Sequence, residues 1–334
     1  MSDLPALFRA FVVDKPADGA FGRGLRDMEV QDLPAGEITV RVAWSSVNFK
    51  DGLAAREDGR VARRYPLIPG IDLAGTVVAS DDDAFPVGSQ VLANGYDIGV
   101  ARHGGYAELA RIPSGYAVAL PDGLTAREAM EIGTAGFTAA MSVVALEERG
   151  LRPGDGPVIV TGASGGVGSA AVAILASRGH EVWAATGKPG EHDRLRDLGA
   201  SGFLAREEVT APGRPLERER WAGAVDTVGE ATLPYVLRTL RIGAAVAATG
   251  NASGAELATT VLPFILRGCA LLGMDSANMA IGPRRALWRR LAADLLPRGL
   301  ADGGAEVALD TLETALDAIH DGRARGRWVV RVSG

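Results

Sequence analysis

The sequence predicts an α/β protein in which a doubly wound parallel sheet follows a small, partly open β-barrel. Three observations carry that expectation. The apolar run Val158-Ile159-Val160-Thr161 leads into Gly162-Ala163-Ser164-Gly165-Gly166-Val167-Gly168-Ser169, which opens directly into a helical stretch over residues 170–176. From about Thr125 onward, apolar strands and helices alternate, the order that a parallel sheet with crossover helices requires. Before Thr125 the chain reads instead as short strands separated by turn residues, the texture of a small barrel.

The elements follow in order. Residues 37–44 alternate apolar and polar as a half-buried strand does. Residues 75–79 and 90–93 are further short strands, bounded by Asp81-Asp82-Asp83 and Pro86-Val87-Gly88. Thr125 and Glu128, three residues apart, mark a capped helix entry. Apolar strands are then expected at 158–161, 181–185, 223–227, 244–249 and 271–274. Residues 326–332 form a last strand that returns to the first domain. No internal repeat or low-complexity segment interrupts the pattern.

A chain of 334 residues can build two cores. Its 47% hydrophobic and 23% charged content is that of an ordinary globular enzyme, and a net charge of −6 provides no basic field for nucleic acid. The single cysteine, Cys269, excludes an internal disulfide and a cysteine-based structural zinc site, and its apolar surroundings predict burial. The start of the chain, with Asp3, Pro5 and Arg9, lacks the apolar core of a signal peptide. Residues 156–177 are uncharged over a membrane-span length, but their glycines and strand–turn–helix pattern fit a buried α/β unit. A soluble, cytoplasmic protein without membrane or nucleic-acid partners is expected.

The glycine turn is the main functional signal. Gly162 permits the tight turn off the strand, Gly165 and Gly166 let backbone approach a pyrophosphate, and Gly168 lets the helix pack close to the sheet. The N–H groups of the helix start then face the anion. The spacing Gly-x-x-Gly-Gly-x-Gly is one residue longer than the standard dinucleotide fingerprint.

That spacing resembles the quinone oxidoreductase-like branch of the medium-chain dehydrogenase/reductase superfamily, whose signature Pro69-Gly70-Ile71-Asp72-Leu73-Ala74-Gly75-Thr76-Val77 resembles. With residues 44–51, 132–139, 221–229 and 259–267, nearly the whole chain is similar to the acrylyl-CoA reductase family. The resemblance implies a GroES-like catalytic domain over residues 1–124 and 276–334, split around a Rossmann dinucleotide-binding domain over 125–275, in a homodimer. It further implies NADPH-dependent reduction of the 2,3 double bond of a short enoyl-CoA, acrylyl-CoA to propionyl-CoA, by hydride transfer to Cβ and protonation at Cα.

Zinc-dependent members of the superfamily need a cysteine and a histidine from the first domain. Here Ser45 or Ser46 stands at the early position, and His103 is the only histidine before His180. His103 is read as a surface loop residue, and the protein as zinc-free. An NAD-selective site would carry Asp or Glu about twenty residues beyond the glycine turn. This chain has Thr186-Gly187-Lys188 instead, which favours NADPH, although Lys188 is also an ordinary residue for a solvated turn. The resemblance adds Arg206 as a second cation. It also implies cofactor contacts from Phe49, Ser164, Gly165, Gly166, Val167, Ile265 and Ser276, while Gly250 and Asn251 follow the strand at 244–249 and so fall in the carboxyl-end crevice where open sheets bind ligands.

Asn48-Phe49-Lys50-Asp51 has two readings. Asn48 and Asp51 suit a helix start, as cap and third residue. The resemblance implies that Asn48, Lys50 or Asp51 faces the acyl group or holds neighbouring side chains, with Asn48, Asp51 and Arg327 the catalytic candidates; the alternative for Arg327 is a surface ion pair. Thr134 and Thr138, on the helix that enters the Rossmann domain, either line the cofactor cleft or pack between the domains. Arg284, Arg285, Arg289 and Arg290 form one cationic cluster and Arg60, Arg63 and Arg64 another; either is a solvated face or a place for acyl-CoA phosphates. Quinone reduction and non-catalytic NADPH binding remain alternatives, since fold alone does not set function.

Overall fold

The computed structural model describes residues 4–17, 19–300 and 304–333. These fall into two compact units. One holds the chain up to Thr134, the stretch Ala277–Ala292 and the chain from Gly304 on; the other holds Ala135–Ser276 and a short piece that starts at Ala293.

In the first unit a sheet runs in the order Ala305–Ala308, Trp328–Arg331, Ile38–Ser46, Asp72–Ser80, Gln90–Asn94 and Val118–Ala119, with Leu109–Ile112 also paired to Ile38–Ser46. All pairings are antiparallel except that of Ala305–Ala308 with Trp328–Arg331. The alternation expected at 37–44 sends Ile38, Val40 and Val42 into a core with Leu73, Val77, Val91 and Ile112. A separate ribbon, Leu7–Asp14 against Gly22–Glu29, covers a second core of Phe8, Phe11, Leu67, Tyr106, Leu312 and Leu316. Its second strand, Gly-Arg-Gly-Leu-Arg-Asp-Met-Glu, is too polar to announce itself by pattern. The pairing of Ile38–Ser46 with Asp72–Ser80 has two register shifts, at Thr39/Val40 and at Val42/Trp44, and the second lies toward its Asp72 end.

The second unit is the doubly wound sheet. Among the described residues its six strands are all parallel and lie in the order Ala200–Ala205, Val182–Thr186, Val158–Thr161, Trp221–Asp226, Leu240–Ala248 and Ala270–Gly273. The strand order reverses between Val158–Thr161 and Trp221–Asp226, the point at which open sheets bind ligands beyond their carboxyl ends. Val158–Thr161 is buried on both faces and reads accordingly as an unbroken apolar run. The short strand Ala200–Ala205, with a glycine and a serine, carries no such run.

The capped entry at Thr125 forms as the sequence predicts. Thr125 N–H donates to Glu128 Oε2 over 2.8 Å, and Glu128 N–H donates to Thr125 Oγ1 over 3.2 Å. The helix that follows, Ala126–Glu148, is interrupted at Gly133, with φ 50° and ψ −162°. It is long and apolar enough to cross a membrane, yet 72% of its apolar window is buried within the protein, as in a core helix.

Candidate active site

At the carboxyl end of the doubly wound sheet, the glycine turn is shaped by close approaches. Gly162 has φ 59°, and a Cβ there would lie 2.3 Å from Thr227 Oγ1. A Cβ on Gly168 would fall 2.3 Å from the Gly162 carbonyl oxygen, so only glycine lets the helix start this near the strand. Gly165 caps the helix Gly166–Ser177 without a side chain, which offers the first-turn N–H groups to an anion. Across the reversal point, buried Asp226 accepts the hydroxyls of Thr161 and Thr232, each at 2.6 Å, and the Gly229 N–H at 2.8 Å. Burial raises the Asp226 pKa against these three bonds. Gly250 and Asn251 lie on a loop stitched to the same place. Thr249 N–H donates to the Asp226 carbonyl, Ser253 N–H donates to the Val228 carbonyl, and a Cβ on Gly250 would meet the Thr227 carbonyl oxygen at 2.6 Å.

One strand further out, the Ser164 and Thr186 hydroxyls lie 3.0 Å apart, and the Lys188 N–H donates to Thr186 Oγ1 over 3.1 Å. Arg206 begins the helix Arg206–Thr210 and lays its guanidinium against Gly187, where a Cβ would fall 2.7 Å from Nε. Ser164, Thr186, Gly187, Lys188 and Arg206 therefore share one corner of the sheet, two hydroxyls with two cations. In the same unit Thr138 donates to Ser276 Oγ over 2.8 Å, while Ile265 stands 68% exposed on the helix Leu262–Arg267.

The first unit holds a buried polar network centred on Asp72. Asp72 Oδ2 accepts Asn48 Nδ2 at 2.8 Å and the Thr134 backbone N–H at 3.0 Å, and the hydroxyls of Ser46 and Thr134 also donate to this carboxylate. Asn48 caps the helix Phe49–Ala54, in which Asp51 is the third residue. Asp51 accepts the Asn48 N–H and the Ile71 N–H, both at 2.9 Å, and Asn48 Nδ2 lies 3.1 Å from Asp51 Oδ2. The other end of the Asn48 amide, Oδ1, accepts Arg327 Nη1 at 3.3 Å. Arg327 Nε donates to the Glu131 carbonyl over 2.9 Å, and its Nη2 is buried without a hydrogen-bond partner. A Cβ on Gly133 would fall 2.7 Å from Arg327 Nη2, 2.8 Å from Asp72 Oδ2 and 3.0 Å from Ser46 Oγ, so the network closes over an absent side chain.

Residues 48–51 form the expected helix start and also belong to a buried polar cluster. The Asn48 amide is engaged at both ends by neighbours, which makes it a brace. Burial, then the Asp72 charge, push the Asp51 pKa up to about 7 against the Ile71 and Asn48 bonds. Burial likewise pulls the Arg327 guanidinium below its ordinary value, opposed by Asp72 and Asp51. Tyr106, whose hydroxyl donates to the Ser46 carbonyl over 2.9 Å, is held far above the usual phenol range by burial. Phe49 is half-exposed, with the His320 ring parallel to it.

Three expectations are corrected. Arg327 makes no surface ion pair; it is buried and bound to backbone carbonyls and Asn48. His103 is no surface loop residue either. It is buried, its Nδ1 accepts the Ile68 N–H at 3.1 Å, and burial lowers its pKa to about 4. Arg284 is no member of an open cationic face. It is fully buried, bonded to the carbonyls of Asn94, Ala277 and Met279 and laid over the Tyr96 ring. Arg60, Arg63 and Arg64 are exposed.

Residues 34–122 match the model of the alcohol dehydrogenase GroES-like domain. Over 329 residues, 98% of this chain and all of the relative, the sequence is 47% identical to acrylyl-CoA reductase AcuI of Ruegeria pomeroyi. The chain belongs to the acrylyl-CoA reductase family. The crystal structure of the Salmonella enterica yhdH oxidoreductase in complex with NADP is 46% identical and matches with a TM-score of 0.94 over 97% of this chain and all of that one. YhfP of Bacillus subtilis, which carries a provisional quinone oxidoreductase name, is 44% identical over 98% of this chain and all of its own length. Its crystal structure has NAD bound and matches with a TM-score of 0.95 over 98% of this chain and all of that one.

Within this family frame, Asp72 is the residue that sequence reasoning passed over. It sits inside the superfamily signature, where it served only as part of a pattern. The signal was nonetheless present, because a carboxylate within Ile71-Asp72-Leu73-Ala74 has to be buried with the strand and must find donors there.

Proposed function

We propose that this chain is an NADPH-dependent reductase of short 2-enoyl-CoA thioesters, with acrylyl-CoA as substrate and propionyl-CoA as product. The near-full-length identity to AcuI of Ruegeria pomeroyi carries this reading, and the NADP complex of the Salmonella relative supports the cofactor. When bound, NADPH supplies the hydride that Cβ of the thioester receives.

The chain's own residues do the remaining work. The first-turn N–H groups around Gly165, Gly166 and Val167 hold the pyrophosphate. Ser164, Thr186, Gly187, Lys188 and Arg206 hold the 2′-phosphate, because this corner has hydroxyls and cations where an NAD-selective site has a carboxylate. Gly250, Asn251, Ile265 and Ser276 frame the rest of the cofactor. Arg327 presents Nη2, the corner of its fork not engaged by the protein, to negative charge that develops on the ligand. Asn48 and Asp51 position that guanidinium. Cα takes its proton from solvent.

We also propose a zinc-free enzyme, since the described residues contain no group of three or more His, Cys, Asp or Glu arranged to hold a metal. A homodimer fits the exposed Val261, Ile265 and Leu266, which lie just before the edge strand Ala270–Gly273. A second reading, quinone reduction, is favoured by the likeness to YhfP. One assay separates the two: NADPH oxidation with acrylyl-CoA, crotonyl-CoA and a simple quinone. Turnover of acrylyl-CoA ahead of the other two supports the proposal, and turnover of the quinone alone overturns it.

A further inference from the structure

Behind the corner of the sheet that holds Ser164 and Thr186 stands a third cation, a second guanidinium. Arg194, on the short helix His192–Asp197, is mostly buried. Its Nε donates to Glu191 Oε2 over 2.9 Å, and Glu191 is itself buried. Its Nη2 crosses to the glycine turn and donates to the Ser164 carbonyl over 3.3 Å. Its Nη1 is buried without a hydrogen-bond partner. One planar fork therefore links the turn that follows Val158–Thr161 to the segment that follows Val182–Thr186. These two segments carry the paired Ser164 and Thr186 hydroxyls.

We infer that Arg194 is a specificity-determining positioning residue for the 2′-phosphate of NADP(H), acting by fixing Ser164 against Thr186 and Lys188. The physical argument is geometric. A serine in a glycine-rich turn has little of its own to hold its hydroxyl in place, since neighbouring glycines leave the backbone free to move. A guanidinium bonded to the serine's own carbonyl removes that freedom. The buried Glu191 in turn holds the guanidinium in one orientation, as a planar fork permits and a lysine ammonium does not. Ser164 faces the hydroxyl of Thr186, which already accepts the Lys188 N–H, so a phosphate at this corner meets preset donors. The Arg194 cation adds to the field of Lys188 and Arg206, reduced by its pairing with Glu191. The sequence gives no hint of this role, because Arg194 reads as one charge among several in Glu191-His192-Asp193-Arg194-Leu195-Arg196-Asp197.

This inference rests on the reading that Ser164, Thr186, Lys188 and Arg206 receive the 2′-phosphate, and the test keeps the two apart. Calorimetric titration of the full-length protein with adenosine 2′,5′-bisphosphate and with adenosine 5′-monophosphate needs no turnover. Wild-type protein that binds both equally refutes the 2′-phosphate site, and this inference with it. Given a wild-type preference for the bisphosphate, Arg194→Met is expected to weaken it about tenfold, the scale of one charge-assisted bond, while the monophosphate changes less than about twofold. Arg194→Lys, which keeps the charge but cannot fork, is expected to fall between. Thermal unfolding without ligand checks that both variants are folded; should the Met variant unfold, the Lys variant carries the comparison. An equal loss for both nucleotides, or no loss for either, overturns the inference and leaves Arg194 as a structural link.

Discussion

The side-chain amide of Asn48 lies between Asp72 and Arg327, donating to the carboxylate over 2.8 Å and accepting from the guanidinium over 3.3 Å. This arrangement ties residues from four separated segments, at 46–51, 72, 134 and 327, into one buried cluster. Its centre is the Asp72 carboxylate, which gathers the hydroxyls of Ser46 and Thr134, the Thr134 N–H and the Asn48 amide.

Removing that centre orphans several buried donors at once. Asp72→Ala is expected to destabilise the protein by about 3–5 kcal/mol, the usual loss when one partner of a buried charged set is deleted. Asp72→Asn keeps the shape and is expected to be milder, although it turns one acceptor into a donor. Urea unfolding measures both; a loss below about 1 kcal/mol for the alanine variant, the worth of a single ordinary hydrogen bond, contradicts the central place given to Asp72.

Asp51 predicts a pH dependence of stability. Its pKa rises from 3.8 to about 7 on folding, so the folded state keeps a proton that the unfolded chain releases. Below about pH 4 both states hold the proton. Between about pH 4 and 7 only the folded state does, and stability falls as pH rises through this window; above about 7 the loss levels off. Asp51→Asn, which is neutral throughout, is expected to lose this slope. The check is the difference between wild-type and variant unfolding free energies from pH 4 to 8. A difference that stays flat, or changes with the opposite sign, shows that Asp51 is ionised in the fold.

The doubly wound sheet is legible in the sequence because each signal there is local. Val158–Thr161 is an unbroken apolar run, and Gly162 and Gly168 stand where a Cβ would strike Thr227 or the turn itself. Ala200–Ala205 and Gly22–Glu29 escape such reading because their residues alternate weakly and gain their place only from the strands they pair with. The Asp72 network escapes for a different reason. Its partners lie 24 to 62 residues away along the chain, and Arg327 and Arg284 donate to backbone carbonyls that no sequence pattern marks. His103 looks polar in Arg102-His103-Gly104, yet its ring serves as an internal acceptor for Ile68.

The corner with Lys188 and Arg206 predicts cofactor choice. Lys188→Ala is expected to raise the KM for NADPH more than that for NADH, since only NADPH loses a charge-assisted contact, of about 1.5–3 kcal/mol. Equal Michaelis constants for the two cofactors in the wild-type enzyme contradict the preference. The NAD complex of YhfP makes this comparison informative.

Metal independence is tested by prolonged chelation followed by elemental analysis. Unchanged activity with well under one zinc per chain is expected. Activity lost on chelation and restored by zinc shows that a ligand set has been misread.

Chain-length selectivity gives a graded prediction. Acrylyl-CoA should be reduced faster than crotonyl-CoA, but each added methyl group changes kcat/KM by only about 1–3 kcal/mol in transition-state energy. Competition between the two thioesters measures the ratio; a preference for crotonyl-CoA points to a wider acyl pocket than a small terminal alkene needs.

The most direct measurement follows the hydride. Purified protein is supplied with acrylyl-CoA and NADPH deuterated at the transferable C4 position, and the product is analysed by mass spectrometry and NMR. The account predicts propionyl-CoA with one deuterium at Cβ, and a Cα hydrogen that comes from solvent. Label at Cα, or rapid NADPH consumption with a quinone while acrylyl-CoA gives no propionyl-CoA, contradicts it.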